Sequence, residues 1–142
     1  LPECRPRMIV VDSNVIAYCW IHGERTALAH RLRRLDPDWH APVLWRSELR
    51  NILTGYRQDG SLAGAQVRQV MAAAEAGFAG REHHLPSDRV FNVTERYRLS
   101  AYDAEFVALA EILGVPLVTE DRAILRGWPG RAVSLEAAID IQ

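Results

Sequence analysis

The sequence contains 142 residues with a formal net charge of −1; 49% of them are hydrophobic and 25% are charged. This composition excludes an intrinsically disordered or collagen-like chain, and no apolar run approaches the roughly 20 residues of a membrane-spanning helix. All 17 basic residues are arginine, which excludes a P-loop and Schiff-base chemistry because both need a lysine. With only two cysteines, Cys4 and Cys19, the sequence predicts a soluble, cytoplasmic protein. We expect one domain over residues 8–142, after a tail or artificial remnant over residues 1–7.

The predicted elements alternate between strands and helices. Met8–Val11 is an apolar run rich in β-branched residues and predicts a buried strand, and the polar stretch Asp12–Asn14 after it can cap a helix. The remaining elements are a helix over Glu24–Leu35, a short strand or turn at Ala41–Trp45, a helix from the N-cap Ser47 to Arg57, an alanine-rich helix over Ser61–Phe78, a helix over Ser87–Arg98, a helix from Ser100 to Gly114, a strand at Val115–Thr119, a short helix at Asp121–Leu125 and a strand at Arg131–Leu135. This order predicts an α/β fold with a mostly parallel sheet.

Four carboxylates fall at the boundaries of these elements. Asp12 ends the first strand, Asp121 follows the strand at Val115–Thr119, and Glu48 and Asp103 lie at helix starts. Because the carboxyl ends of parallel strands share one edge of a sheet, we expect the four acids in one cleft. Clustered carboxylates need positive compensation, and Mg²⁺ or Mn²⁺ prefers oxygen ligands. Such an ion can activate water for attack on a phosphodiester.

Each acid also has a structural interpretation. Asp103 fits a capping box with Ser100, while Glu48 and Asp121 favour helix N-termini whether or not they bind an ion. Asp12 differs, because a carboxylate directly after a buried strand is costly unless it is paired or liganded. The residues alone therefore leave helix capping and metal binding both open for three of the four acids.

Four stretches around these acids resemble the motifs of PIN-domain ribonucleases. Ile9–Val15 is similar to the first motif, Ser47–Leu53 to the second, Ser100–Ala110 to the third and Leu117–Leu125 to the fourth. Their order and spacing cover nearly the whole chain after residue 8. The resemblance implies a three-layer, Rossmann-like α/β/α sandwich with a mostly parallel central sheet.

The same resemblance implies an Mg²⁺- or Mn²⁺-dependent endoribonuclease that hydrolyses single-stranded RNA. The acids that match its catalytic and metal-binding positions are Asp12, Glu48, Asp103 and Asp121. Asn14 and Thr119 match polar positions that form hydrogen bonds within or beside that site. The chain length also resembles the VapC toxins of bacterial toxin–antitoxin pairs, which implies a cognate antitoxin and a homodimer, with no membrane partner.

Basic and aromatic residues near the second motif have more than one interpretation each. Arg46 and Arg50 flank Glu48 and could hold RNA phosphates, form a solvated face, or dock an acidic partner. Trp39 and Trp45 could stack a base as single-strand binders do, although packing is their commoner use.

Other residues carry weaker expectations. His83 and His84 are expected in a loop because no second ligand lies at zinc spacing, and Cys19 is expected to be a buried, inert thiol. The helix at Ser61–Phe78 is a candidate for dimer or antitoxin contacts, or it simply builds the core. The alternative functions are a non-catalytic RNA-binding or scaffold module and a metal-dependent phosphohydrolase of small phosphate esters.

Overall fold

The computed structural model describes residues 5–140, in which five strands alternate with eight helices. In chain order the elements are β1 (Met8–Val11), α1 (Ser13–Trp20), α2 (Thr26–Leu35), β2 (Asp38–Pro42), α3 (Trp45–Gln58), α4 (Gly64–Gly77), β3 (Glu82–His83), α5 (Ser87–Tyr97), α6 (Ala101–Leu113), β4 (Leu117–Val118), α7 (Arg122–Gly127), β5 (Ala132–Val133) and α8 (Leu135–Asp140). None of the helices within this range is long and apolar enough to cross a membrane.

The sheet has the strand order β3-β2-β1-β4-β5, and every strand pair is parallel. The central strand β1 pairs with β2 on one side and with β4 on the other, so that Val10 lies beside both His40 and Leu117. The chain therefore adds β2 and β3 on one side of β1 and then adds β4 and β5 on its other side. Such a reversal leaves a crevice at the carboxyl ends of the two strands that flank it, here β1 and β4.

Helices cover both faces of the sheet. Ile9 and Val11 face a core that packs under α1, α2, α3, α4 and α8, whereas Val10, between them, faces a core under α5, α6 and α7. This alternation follows from the two-residue period of a strand. Both layers are apolar because a parallel sheet is buried on its two sides. The expected three-layer α/β/α sandwich is confirmed.

The segment between α2 and α3 differs from the prediction. The strand spans Asp38–Pro42 instead of Ala41–Trp45, and Trp45 begins α3. The carbonyls of Val43 and Leu44 accept the first helical hydrogen bonds, at 3.0 and 3.1 Å. The prediction of Ser47 as the N-cap is therefore wrong, because the helix is already under way when Ser47 is reached.

The two tryptophans of this segment are packed in the core. Trp39 is 2% exposed and Trp45 is fully buried, with its ring centroid 4.8 Å from that of Phe78. The packing interpretation is confirmed, and a base-stacking role is excluded because neither ring is accessible. Cys19 is also buried, as expected, and burial raises the pKa of its thiol to about 11.

The loop position expected for His83 is wrong, because Glu82 and His83 form the edge strand β3, whereas His84 lies in the loop that follows, as expected. Val43 N–H donates to the His83 carbonyl at 2.9 Å, and the His83 Nε2 and His40 Nδ1 atoms are hydrogen-bonded at 2.8 Å. His40 is buried, and its Nε2 lies 2.9 Å from Asp38. A strand of two residues is too short to show a period, which is why its sequence gives no signal.

The N-terminal segment is described from residue 5 onward. Arg5 and Arg7 both donate to the carboxylate of Asp36, at 2.9 and 3.3 Å, and Asp36 is fully buried. The first four residues of the expected tail, including Cys4, lie outside the described residues.

Candidate active site

Asp12 lies at the carboxyl end of β1, at the point between β1 and β4 where the strand order reverses. Its Oδ1 accepts a hydrogen bond from the Ser13 N–H at 2.7 Å, and its Oδ2 accepts one from the Thr119 hydroxyl at 2.6 Å. Thr119 follows β4 directly and is fully buried, while Asp12 is 7% exposed. The acid at the end of β1 is therefore held by the residue at the end of the neighbouring strand.

Glu48 reaches the same region from the first turn of α3. Its Oε1 accepts a hydrogen bond from the Ser13 hydroxyl at 2.6 Å. Ser13 thus contacts two of the predicted acids, since its N–H binds Asp12. This shared partner links the start of α1 to the start of α3, two helices that pack against each other.

Asp103 and Asp121 lie at the starts of α6 and α7. The Asp103 N–H donates to the hydroxyl of the N-cap Ser100 at 3.1 Å. Asp121 is itself an N-cap, since its Oδ1 accepts from the Ile124 N–H at 2.9 Å, and its own N–H donates to the Thr119 hydroxyl at 3.0 Å. Helix capping and membership of the acidic group are therefore compatible, because each cap leaves carboxylate oxygens for other partners.

All four acids line one open cleft of about 480 Å³ at the carboxyl ends of β1 and β4. The other described residues that line it are Ser13, Asn14, Leu44, Ser47, Asn51, Ile52 and Tyr102. No arginine or histidine is among these described lining residues. The cleft therefore gathers negative charge without a cationic side chain to balance it.

Burial in the cleft raises the pKa values of Asp12, Glu48 and Asp103. Burial, with smaller contributions from the charges of Glu48 and Asp103, raises the pKa of Asp12 from 3.8 to about 6, against its hydrogen bonds to Thr119 and Ser13. Burial also raises the pKa of Glu48, with Asp103 adding to it. The pKa of Asp103 is raised by burial and by the charge of Asp121. Each of the three prefers a neutralising partner, and perturbed acids of this kind mark functional sites.

The chemistry of the cleft fits a hard divalent cation. Carboxylate, hydroxyl and amide oxygens are the ligands that Mg²⁺ and Mn²⁺ prefer, and these ions keep several waters. Across residues 5–140, however, no three histidine, cysteine, aspartate or glutamate side chains form a ready-made metal-binding group. Asp12 and Glu48 are turned toward Thr119 and Ser13 instead. The carboxylates would have to draw together around an ion.

Of the other predicted site residues, Asn14 and Thr119 belong to the cleft, whereas Arg46 and Arg50 do not. Asn14 lines the cleft, and Thr119 supports it by binding Asp12. The Arg46 guanidinium instead donates to Glu82 at 2.6 and 2.8 Å and also contacts Glu75. Arg50 is exposed on α3, beyond the residues that line the cleft.

Sequence reasoning did not single out Asn51 or Tyr102, which also line the cleft. Asn51 lies one helical turn after Glu48 on α3, so the helical period was a usable signal for it. Tyr102 directly precedes Asp103 and is 65% exposed. That the Tyr102 ring lines the cleft beside Asp103 becomes apparent only once the start of α6 is known. Glu120, which follows Thr119, pairs with Arg25.

A comparison with protein families identifies the family of this chain. The model of the PIN domain family matches residues 9–127 of this chain, and the chain belongs to that family. The match covers all four motifs on which the resemblance rests, and the resemblance is confirmed.

Individual relatives are also similar over most of their length. The chain is 28% identical over 128 residues to Ribonuclease VapC3 of Mycobacterium tuberculosis, covering 90% of this chain and 93% of that protein. It is 27% identical to Ribonuclease VapC3 of Pyrobaculum aerophilum, covering 85% and 95%. The crystal structure of PAE2754 from Pyrobaculum aerophilum has a TM-score of 0.72 at 24% identity, covering 94% of each chain. A toxin–antitoxin complex from Klebsiella pneumoniae has a TM-score of 0.62 at 18% identity, covering 89% and 97%.

Proposed function

We propose that this protein is a divalent-cation-dependent endoribonuclease that cleaves single-stranded RNA. The observation that carries the proposal is the joint placement of Asp12, Glu48, Asp103 and Asp121 in one cleft whose described lining residues include no arginine or histidine. The curated relatives named as VapC ribonucleases support RNA as the substrate. Mg²⁺ and Mn²⁺ are the ions that fit a cleft of oxygen donors.

The four acids would hold the ion, with Asn14 beside them. When bound, a divalent cation supplies charge neutralisation at the phosphodiester and lowers the pKa of a water molecule. Thr119 positions the site, because its hydroxyl binds Asp12 and accepts from the backbone of Asp121. The expected products carry a 3′-hydroxyl and a 5′-phosphate.

The biological role we propose is that of the toxin in a toxin–antitoxin pair. The relatives named VapC3 and the similarity to a chain of a toxin–antitoxin complex support it. The helix α4 is the surface we propose for homodimer or antitoxin contacts, since Ala74 is its one fully buried residue within the described part of the chain.

The test is hydrolysis of labelled single-stranded RNA with Mg²⁺, with Mn²⁺ and with EDTA. We expect cleavage only with a divalent ion, and Asp103→Asn to reduce the rate by about two orders of magnitude or more. Glu95→Gln is the matched control, because Glu95 is an exposed acid of α5, away from the cleft. Equal RNA hydrolysis by parent and Asp103→Asn would contradict the proposal.

Two other results would favour the alternatives. Metal-dependent thermal stabilisation with intact RNA would indicate a non-catalytic RNA-binding or scaffold module. Turnover of a generic phosphate ester with intact RNA would indicate a phosphohydrolase.

A further inference from the structure

A second cleft of about 330 Å³ adjoins the acidic one. Asn14 and Ile52 line both, so the two clefts form one continuous groove. Beyond these two residues the lining includes the aromatic and apolar side chains of Tyr18, Tyr56 and Ile21, and its charged side chains are Glu24 and Arg25. The groove thus has one end with four carboxylates and one aromatic end where a single acid and a single arginine are present.

Helical periodicity explains why the groove is continuous. Glu48, Ile52 and Tyr56 follow one another at four-residue spacing on α3, so they lie along one face of that helix. Asn14 and Tyr18 have the same spacing on α1. At 1.5 Å per residue, Tyr56 lies about 12 Å along the helix axis from Glu48. This is the length of about three to four stacked nucleotides at 3.4 Å each.

The charge at the far end favours a base over a phosphate. Arg25 is the arginine that lines this part of the groove, and it is already paired with Glu120 and, at 2.8 Å, with Glu136. Its guanidinium also lies over the Tyr18 ring, 5.4 Å from the centroid. Tyr56 is 39% exposed and carries no such cover from a described cation. An aromatic ring accessible in a groove without a free cation fits the flat face of a nucleobase.

We propose that this second cleft binds an unpaired base of the substrate strand, stacked on Tyr56, a few nucleotides from the phosphate held at the acidic end. The identity of the strand as RNA rests on the proposed function. A base within a duplex cannot offer its face to a side chain, so this subsite selects single-stranded substrates. Tyr56 thereby acts in substrate positioning, apart from the acids.

The test is equilibrium binding of fluorescently labelled adenosine and uridine ribo-oligomers, shortened one nucleotide at a time from either end. Ca²⁺ replaces Mg²⁺ and Mn²⁺, so that a cation that also prefers oxygen ligands can hold the phosphate at the acidic end, and gel analysis of each sample verifies that the oligomer stays intact. We expect the affinity of the parent to fall at one truncation step, where the stacked base is lost. Tyr56→Ala should bind the full oligomers about 5- to 100-fold more weakly and should lose that step, whereas Tyr56→Phe should keep it.

Phe91→Ala is the matched control, because Phe91 is 55% exposed on α5 and lies outside the groove. Its binding should equal that of the parent. The proposal is overturned if the parent binds none of the oligomers, if Tyr56→Ala binds them as the parent does, or if the truncation step persists in that variant. Because binding is read on intact oligomers, a protein that binds as described but never cleaves RNA with Mg²⁺ or Mn²⁺ would refute the proposed function and not this subsite.

Discussion

Replacing Asp12 by asparagine is expected to stabilise the fold in the absence of divalent ions. Burial raises the pKa of this carboxyl to about 6, and the negative charges of Glu48 and Asp103 nearby add to the rise. At neutral pH the folded protein must therefore keep an ionised group that its surroundings disfavour. Asparagine has nearly the same shape, carries no charge, and can still accept a hydrogen bond from the Ser13 N–H.

The magnitude follows from the shift in pKa. A carboxyl with a pKa of 3.8 when unfolded and about 6 when folded binds more protons in the folded state between these values. Stability therefore falls as the pH rises from about 4 to about 6, and the full cost is present above that window. A shift of about 2 units corresponds to about 3 kcal/mol at most. With its oxygen facing the Ser13 N–H, the asparagine turns its amide nitrogen toward Thr119, so the hydrogen bond that the Thr119 hydroxyl donates to Asp12 is lost. This loss offsets part of the gain, and we expect a net gain of about 1–2 kcal/mol.

The assay is urea unfolding of parent and Asp12→Asn in EDTA, at pH 4 and at pH 7.5. The variant should have the higher midpoint at pH 7.5 with an unchanged slope, and the difference should shrink toward zero or reverse at pH 4. Added Mg²⁺ or Mn²⁺ should stabilise the parent more than the variant. A variant that is less stable than the parent at pH 7.5, by the same amount at both pH values, would refute the reasoning.

Three other substitutions test the structure around the site, in the core and on an exposed helix face. Thr119→Val keeps the side-chain shape but removes the hydroxyl that binds Asp12, so we expect a loss of roughly 1–3 kcal/mol in urea unfolding together with reduced RNA cleavage. Activity and stability equal to those of the parent would show that the Thr119 hydroxyl does not position Asp12. Gly77→Ala places a Cβ 2.6 Å from the Trp20 ring and should lower the unfolding free energy by roughly 1–3 kcal/mol. Gly55→Ala adds a Cβ on an exposed face of α3 with nothing within 4 Å, so it should raise the unfolding free energy by roughly 0.5–1 kcal/mol. Equal effects of the two glycine substitutions would argue against the packing at Trp20.

The parts of the fold that the sequence predicts are those with strong local signals. The strand Met8–Val11 is predicted with its observed bounds because its four residues are apolar, and the last three of them fill two opposite cores. Helix α6 is predicted within one residue at its start because Ser100 caps it and Gly114 ends it with a positive φ of 68°. The grouping of the acids follows from the parallel order of the strands, which the alternation of elements predicts.

The parts that the sequence does not predict depend on tertiary contacts. β3 exists because Ala41 and Pro42 offer a strand edge to Glu82 and His83. The pairing of Arg46 with Glu82 joins residues 36 positions apart, which no local pattern reveals. The groove past Ile52 likewise requires knowing that α1 and α3 are neighbours.

Residues of the acidic cleft and residues of the two hydrophobic cores affect the stability of the fold in opposite directions. Each acid of the cleft begins or follows a secondary-structure element, where a carboxylate can also cap a helix, as Asp121 does for α7. Capping recovers part of the cost of holding like charges together, and Thr119 joins Asp12 to the neighbouring strand. The charges that remain unbalanced are those a divalent cation would neutralise. Removing a charge from the cleft should therefore stabilise the protein, whereas truncating a core residue such as Leu49 should destabilise it by about 2–5 kcal/mol. The sign of the stability change thus separates residues kept for chemistry from residues kept for folding.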